Sequence, residues 1–418
     1  MAPRISSTIA STRVAKDGSR TKVARPTLLR RLNERAVFDT VRELGPLTRA
    51  DLTRHFDVSS ATVSKAVAHL LKTRLLEECE EEVPEPADGG RNTRSAGRPG
   101  KPYRIAKETA QVIGVTIDAN YCGVLAAGID GSVDSERTIE FPTPDTYRKI
   151  LNRIVEAATT LINDTPAVTL GMGVSVPGSL DAGLQQVLLS PNLHVLDNQF
   201  PADDLQERLG LKAVIVHGPI GACLAEQAFG AARGLSDFVR IGTYEGFGVS
   251  VITGGEILQG HRGMAGEVGH ITVERNGLPC GCGNRGCLET RATDLAFARA
   301  VSKRLSRKLT IDAILQEIRD GNLDPADVRE ELDEAIEYLA IGVGSTINIF
   351  NPQAVLVFSR MLDVEPTAFD RLKKLTAQHA MAPLLDECDL RRTGRIYGLG
   401  AIASIIDHLV RELGPRFN

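Results

Sequence analysis

No apolar stretch in the 418 residues approaches the ~18 that a bilayer requires, so no transmembrane helix is expected. The first twenty residues carry Arg4, Arg13, Lys16 and Arg20 without an apolar core region, which argues against a secretory signal. Cysteine is too sparse for a disulfide scaffold: there are 7, an odd number, and three of them fall within eight positions. No repeat of solenoid length is present. With 24% charged residues and 39 Gly, the composition is that of an ordinary globular protein, and wholesale disorder and fibrous classes are excluded. At ~150 residues per domain the length suggests two or three domains, and a soluble cytoplasmic protein is expected.

The net charge of -4 conceals an asymmetry. Residues 1–76 hold 15 Lys/Arg against 6 Asp/Glu, a net +9, and the rest of the chain therefore carries -13. A small basic module that meets a polyanion would produce this split, and so would a solvated basic face.

Residues 1–25, rich in Ser, Thr and Arg, read as a flexible basic tail. From Pro26 the apolar spacing becomes helical through Leu28, Leu29, Leu32, Val37, Phe38 and Val41, and it ends near Gly45-Pro46. A second helix follows Thr48. A short turn over 57–60 leads to a third, which begins at Ala61 and buries Val63, Val67 and Leu70. This is a helix-turn-helix pattern, with a protein-binding three-helix bundle as the alternative. Its last helix offers Ser59, Ser60, Thr62, Ser64, Lys65 and His69, hydroxyls and cations suited to phosphates and base edges. Leu75-Leu76 begins a short strand, and Glu77 to Glu85 is an acidic run. Arg94, Arg98 and Lys101 then lie in a Gly-rich loop, and Tyr103 to Ile105 reads as a returning strand. The stretch describes a wing able to put arginine in a minor groove, or a plain linker.

The texture changes to α/β at Gln111. Strands are expected at 112–117, 121–127, 135–139, 169–176, 213–216, 238–242, 246–253 and 354–358, with helices over about 146–162, 220–231, 294–319 and 325–350. Within this body, His270 precedes the run Cys280-Gly281-Cys282-Gly283-Asn284-Arg285-Gly286-Cys287. Three thiols and an imidazole complete a tetrahedral zinc shell, and the glycines let the chain wrap closely. Such a site is structural, since no position remains for a catalytic water. Reduced, merely packed thiols are the alternative. Cys79, Cys122, Cys223 and Cys388 read as ordinary thiols.

Ala265-Gly266-Glu267-Val268-Gly269-His270, the C-x-C-G-x-x-G-C-L-E run ending at Glu289, and Gly171 to Gly178 together resemble the ROK family of repressors, uncharacterised frames and sugar kinases. The resemblance spans about 110–418. It implies the α/β two-lobed actin-like/ribonuclease-H-like ATPase fold, here preceded by an all-α/winged helix-turn-helix DNA-binding domain. The expected layout is a tail at 1–25, the head at 26–82, a wing and linker at 83–109, lobe 1 at 110–235 completed by 395–418, and lobe 2 at 236–394. By the same resemblance Glu267, His270 and Glu289 contact sugar hydroxyls, while His270, Cys280, Cys282 and Cys287 hold Zn2+. Glu267 and Glu289 read without it as supporting or surface carboxylates.

The departures are as informative. Kinases of the family open the helix after the 213–216 strand with N-D-A-N, whose Asp takes the sugar hydroxyl proton. This chain has His217-Gly218-Pro219-Ile220. Glycine accepts no proton, and general-base catalysis is worth ~10²–10⁴ in rate. The first phosphate loop is Asp118-Ala119-Asn120-Tyr121, without its glycines. The second carries Glu245, which repels a triphosphate, and the glycine pair after 354–358 is Ser359-Arg360. The resemblance, with a winged helix in front, implies a repressor of carbohydrate genes that binds a double-stranded operator and senses a sugar derivative, and the departures imply no kinase activity. It would work as a homodimer or homotetramer without a membrane partner. The alternatives are a sugar kinase with an accessory head, and a regulator independent of ligand or controlled by a partner.

Overall fold

The computed structural model describes residues 26–56, 58–80, 100–181, 183–190, 192–394 and 398–413. α1 (Pro26–Leu44) buries Val37, Phe38 and Val41 at helical spacing and stops at Gly45, whose φ of 88° favours a residue without a side chain. α2 (Arg49–Phe56) opens on a reciprocal cap. Thr48 Oγ1 donates to Asp51 Oδ2 at 2.6 Å, and the Asp51 N–H donates back to Thr48 Oγ1 at 3.3 Å. α3 (Ser60–Lys72) is capped by Ser59, which accepts from the Thr62 N–H at 3.2 Å, and it buries Val63, Ala66, Val67 and Leu70. β1 (Leu76–Glu78) and β2 (Tyr103–Ile105) pair antiparallel, and Tyr103 exchanges two backbone bonds with Leu47 in the loop before α2. Three helices and a two-stranded wing result. Arg94 and Arg98, expected at the wing tip, lie outside the described residues, as does the tail at 1–25.

Two five-stranded sheets follow among the described residues, laid out on one plan. In the first, β3 (Ala110–Ile117), β4 (Tyr121–Gly128) and β5 (Val133–Pro142) run antiparallel. α4 (Tyr147–Asn163) crosses to β6 (Val168–Val176), parallel to β3. A hairpin of β7 (Ser179–Asp181) and β8 (Gln186–Leu189) and then α5 (Pro201–Leu209) lead to β9 (Ala213–His217), parallel to β6. α6 (Gly218–Phe229) carries the chain to the second lobe. There β10 (Phe238–Thr243), β11 (Phe247–Thr253) and β12 (Glu256–Ile257) repeat the antiparallel meander. After α7 (Asp294–Leu305), α8 (Ile311–Arg319) and α9 (Arg329–Phe350), β13 (Ala354–Ser359) adds parallel to β10. α10 (Ala368–Thr376) and α11 (Ala382–Leu385) precede β14 (Asp389–Arg392), parallel to β13. Each parallel join needs a crossover, and helices supply most of them. The plan stated twice is the two-lobed actin-like architecture.

α12 (Leu399–Arg411) returns to the first sheet and packs on β3, β6 and β9. Glycine makes this possible: a Cβ on Gly173 would stand 1.8 Å from Ala401 O. α6 and α12 together form the floor between lobes, where Cys223, Leu224, Ala225 and Ala403 meet Phe238, Ile252, Ala354 and Leu356.

Residues 100–109 do not behave as a linker. Tyr103, Ile105, Ala106 and Ala110 share one apolar cluster with Phe38 of α1, Leu70 of α3 and Ile402 of α12, so head and first lobe have a common core. Glu77 is not part of a solvated acidic run either; it is 4% exposed. It accepts from Arg104 Nε at 2.8 Å and from the Thr109 N–H and Oγ1 at 2.9 Å each, closing the joint between wing and body. No helix among the described residues is long and apolar enough to cross a membrane.

Candidate functional site

The excursion between β12 and α7 carries the densest chemistry. It folds back on itself through isolated antiparallel bridges, Thr272 to Cys287 and Pro279 to Arg285. A Cβ on Gly286, at φ 70°, would stand 1.7 Å from Glu274 O, so only glycine fits that crossing. The fold-back gathers His270, Cys280, Cys282 and Cys287, whose donor atoms all lie within 4.8 Å of one another. Cys282 Sγ and Cys287 Sγ are 3.7 Å apart, and His270 Nδ1 and Cys280 Sγ 3.6 Å. A tetrahedral ion with bonds of ~2.3 Å to sulfur and ~2.0 Å to nitrogen would set those separations near ~3.8 and ~3.5 Å. The residues therefore fit a metal whose four positions are all filled by protein. Burial and the two neighbouring thiols push Cys287 up to about 12, so a bound cation is what would hold a thiolate there.

His270 turns its other nitrogen, Nε2, toward Glu267 Oε2 at 3.7 Å. Glu267 is itself 62% exposed and open to the cleft. Glu289 is more committed: its Oε2 accepts the Phe247 N–H at 3.0 Å, and its Oε1 lies 3.8 Å from Cys280 Sγ. The three expected ligand contacts thus gather around the cluster, with Glu289 already sharing one oxygen with the backbone of β11. His270, clamped on one side and paired on the other, is oriented rather than free to rotate.

At the first lobe's edge of the cleft stand His217 and Gly218. Burial pushes His217 down to about 4, so it is neutral at ordinary pH. A Cβ on Gly218 would meet only Ser175 Oγ, at 3.9 Å, so crowding does not require glycine there. The polar side chains of the segments compared with phosphate loops bond within the protein. Asp118 Oδ1 accepts the Ala119 N–H at 2.6 Å, and Glu245 Oε2 accepts from Asn192 Nδ2 at 3.1 Å. Tyr244 donates its hydroxyl to Asp312 Oδ2 at 3.2 Å, and Arg360 Nη1 pairs with Asp312 Oδ1 at 2.8 Å. Asp294, fully buried, accepts from Ser359 Oγ and the Met361 N–H at 2.8 Å each and from the Arg360 N–H at 2.9 Å. Burial nevertheless raises its carboxyl to about 7.

On the head, Ser60 and Lys65 are exposed and Thr62 and Ser64 half-buried. Ser59 spends its hydroxyl on the cap of α3 and on Thr62 Oγ1 at 2.9 Å. His69 faces inward instead, its Nδ1 3.2 Å from the buried Glu34 Oε2 of α1. Lys101 pairs with Glu78 across the wing.

A family profile described as "ROK family" matches residues 112–395. The chain belongs to the ROK family. Among its ROK relatives, the xylose repressor of Bacillus subtilis (strain 168) is 24% identical over 393 residues, 93% of this chain and 98% of that protein. The DNA-binding transcriptional dual regulator NagC of Escherichia coli (strain K12) is 26% identical over 360 residues, 83% of this chain and 85% of that protein. A solved ROK family transcriptional regulator, a homolog of the E. coli MLC protein, superposes with a TM-score of 0.77 at 20% identity, covering 92% of this chain and 98% of that one. A ROK glucokinase from Streptomyces griseus, solved with glucose and AMPPNP, superposes with a TM-score of 0.62 at 23% identity, covering 72% of this chain and all of that one. These likenesses carry the fold.

Three structurally committed residues escape sequence reasoning. Glu77 looks like one more acid in an acidic run, and Asp294 like an ordinary helix-start carboxylate after the capping Thr293. Arg240 did leave a trace, as the lone cation in the strand Phe238–Thr243.

Proposed function

We propose that this chain is a DNA-binding transcriptional regulator, a repressor of carbohydrate-metabolism genes, whose cleft takes a sugar or sugar derivative and which does not phosphorylate it. One observation carries the reading: the winged head shares a core with the first lobe, so movement of that lobe is movement of the DNA-binding helix. Ser60, Thr62, Ser64 and Lys65 would enter the major groove, with Ser59 ordering the helix start and Lys101, Arg94 and Arg98 serving the wing. Glu267, His270 and Glu289 would accept sugar hydroxyls. His270, Cys280, Cys282 and Cys287 would hold a structural Zn2+, which supplies rigidity to that wall. Ligand-driven lobe closure would reset the spacing of two heads in a homodimer or higher homo-oligomer. The xylose repressor and NagC, which the chain matches over most of its length, support a sugar-responsive repressor. Gly218 counts against the kinase reading, because nothing in its place can accept a proton.

Retention of fragments of its own genome by the full-length protein, under competitor DNA at physiological salt, tests the reading. A few fragments held selectively are expected, and their neighbouring genes nominate the sugar. Retention no better than random would refute it. Lys65→Ala should weaken binding to every retained fragment and lower the salt slope by ~1, as for a phosphate contact. An unchanged slope removes Lys65 from the interface.

A further inference from the structure

Arg35 of α1 is a cation sealed inside the protein, 2% exposed, on the side of the helix that meets the body. Its Nε donates to Asp39 Oδ2 at 2.7 Å, and Arg42 Nη2 donates to Oδ1 of the same carboxylate at 2.8 Å. Two guanidinium groups thus share Asp39, and Arg35 Nη1 is buried with no hydrogen-bond partner. A charged donor left unmet inside a protein is unfavourable unless a counter-charge or a water reaches it.

The body shows the converse arrangement. On α12, Arg411 Nε donates to Asp407 Oδ2 at 2.5 Å, and Arg411 Nη2 reaches Glu256 Oε2 of β12 at 2.7 Å. Here two carboxylates share one guanidinium. Arg35 and Asp407 border the same small void, walled by Leu224 of α6 and by Ile406 and Val410 of α12. Its free space takes about one water. An under-paired cation of the head and an anion of the body therefore line one gap, among apolar side chains that screen their attraction little. α1 in turn packs on α3, through Phe38 and Val41 against Val67 and Leu70 in the shared core, so the seat of α1 is the seat of the DNA-binding helix.

We propose that Arg35 is a positioning residue of the DNA-binding head: through one water in this void it pairs with Asp407, and the pair sets how α1, and α3 with it, sits on the body. Arg411 and Glu256 continue the chain of charges to the second lobe, so the seat responds to where that lobe stands. This rests on the regulator reading, and it gives that reading a route from the lobes to the head.

The test uses the full-length protein. Arg35→Gln, Asp407→Asn and the double variant are compared with wild type by hydrogen exchange of the α1 amides. Each single change is expected to speed exchange about fivefold or more, and the double variant to be no faster than the faster single one. Effects that multiply overturn the pair. Glu256→Gln should speed α1 exchange about twofold in the wild type and leave it unchanged in Asp407→Asn. No effect in the wild type overturns the link to the second lobe. Should Arg35→Gln not fold, Arg35→Met, of similar length and apolar, takes its place in the cycle. Asp407, with a side chain 20% exposed, is the milder site. Positioning is then read on a genomic fragment that the wild type retains, with base pairs inserted between its half-sites. The wild type should prefer the native spacing, and Asp407→Asn should lose about fivefold or more of that preference while binding a single half-site as before. A merely structural role lowers Tm and leaves the spacing preference intact, and that result overturns the positioning. A wild type that retains no fragment selectively sinks the regulator reading instead, and the exchange cycle still decides the pair.

Discussion

Two stretches of the second lobe differ in how their polar groups are spent. Around the metal cluster, Glu267 is largely exposed and His270 Nε2 faces it at 3.7 Å, so acceptor and donor capacity remains for a ligand. In the adjoining stretch of the same lobe, Tyr244 and Arg360 both close on Asp312, and Asp294 takes three donors from the loop after β13. A binding surface works with hydrogen-bonding capacity that folding leaves unsatisfied, and a wall whose groups satisfy one another has used it up. Both sets of residues belong to the second lobe, so the contrast lies within one body: one stretch keeps hydrogen-bonding capacity open, and the other has used it on itself.

Removing a cluster ligand should break this contrast most severely. Cys287→Ala is expected to take bound metal from about one per chain to none by elemental analysis. The cost is on the order of 4 kcal/mol in denaturant unfolding, since the fully buried Cys287 also packs the loop. Retained metal would show that three ligands suffice.

Asp294→Ala attacks the second stretch. Three orphaned donors predict a loss of ~3 kcal/mol. Its carboxyl also gives that stretch a pH signature. A folded pKa of about 7, above the ordinary 3.8 of an aspartate, means a stability contribution fully present below pH ~4 and lost as pH rises through about 7. Wild-type Tm should fall over that window by more than that of Asp294→Asn, and equal slopes would refute the assignment.

The smallest effect is expected from Arg360→Ala. Its pair with Asp312 is partly exposed and worth ~0.5 kcal/mol, so stability should barely change. The variant should still not bind ATP in calorimetry, because the loops lack their glycines. ATP binding would mean the stretch was only plugged.

The elements that were easiest to read had strong periods or tight spacing. α3 and the second half of α1 bury the residues that the helical repeat selects, whereas Leu29 near the start of α1 is exposed, and β13 is a run apolar on both faces. The metal set needed only a local count of thiols and one imidazole. The β7–β8 hairpin and α5 went unread because both are short and mixed in polarity. His69 could not be oriented, since its partner Glu34 lies 35 positions away on another helix. The span 100–109 looked like a linker because its anchors, α1 and α12, are remote in sequence.

Residue identity at short range was enough to read the family motifs, the winged head, the clustered imidazole and thiols, and the glycine at position 218. Packing alone settled that Glu77 is buried in the joint between head and body, that Arg360 pairs with Asp312, and that Arg240 lies buried over the Phe358 ring. Charge has no period along the chain. Whether a charged side chain is solvated, paired or stranded depends on which distant element packs against it, and that is settled only when the lobes and the head come together.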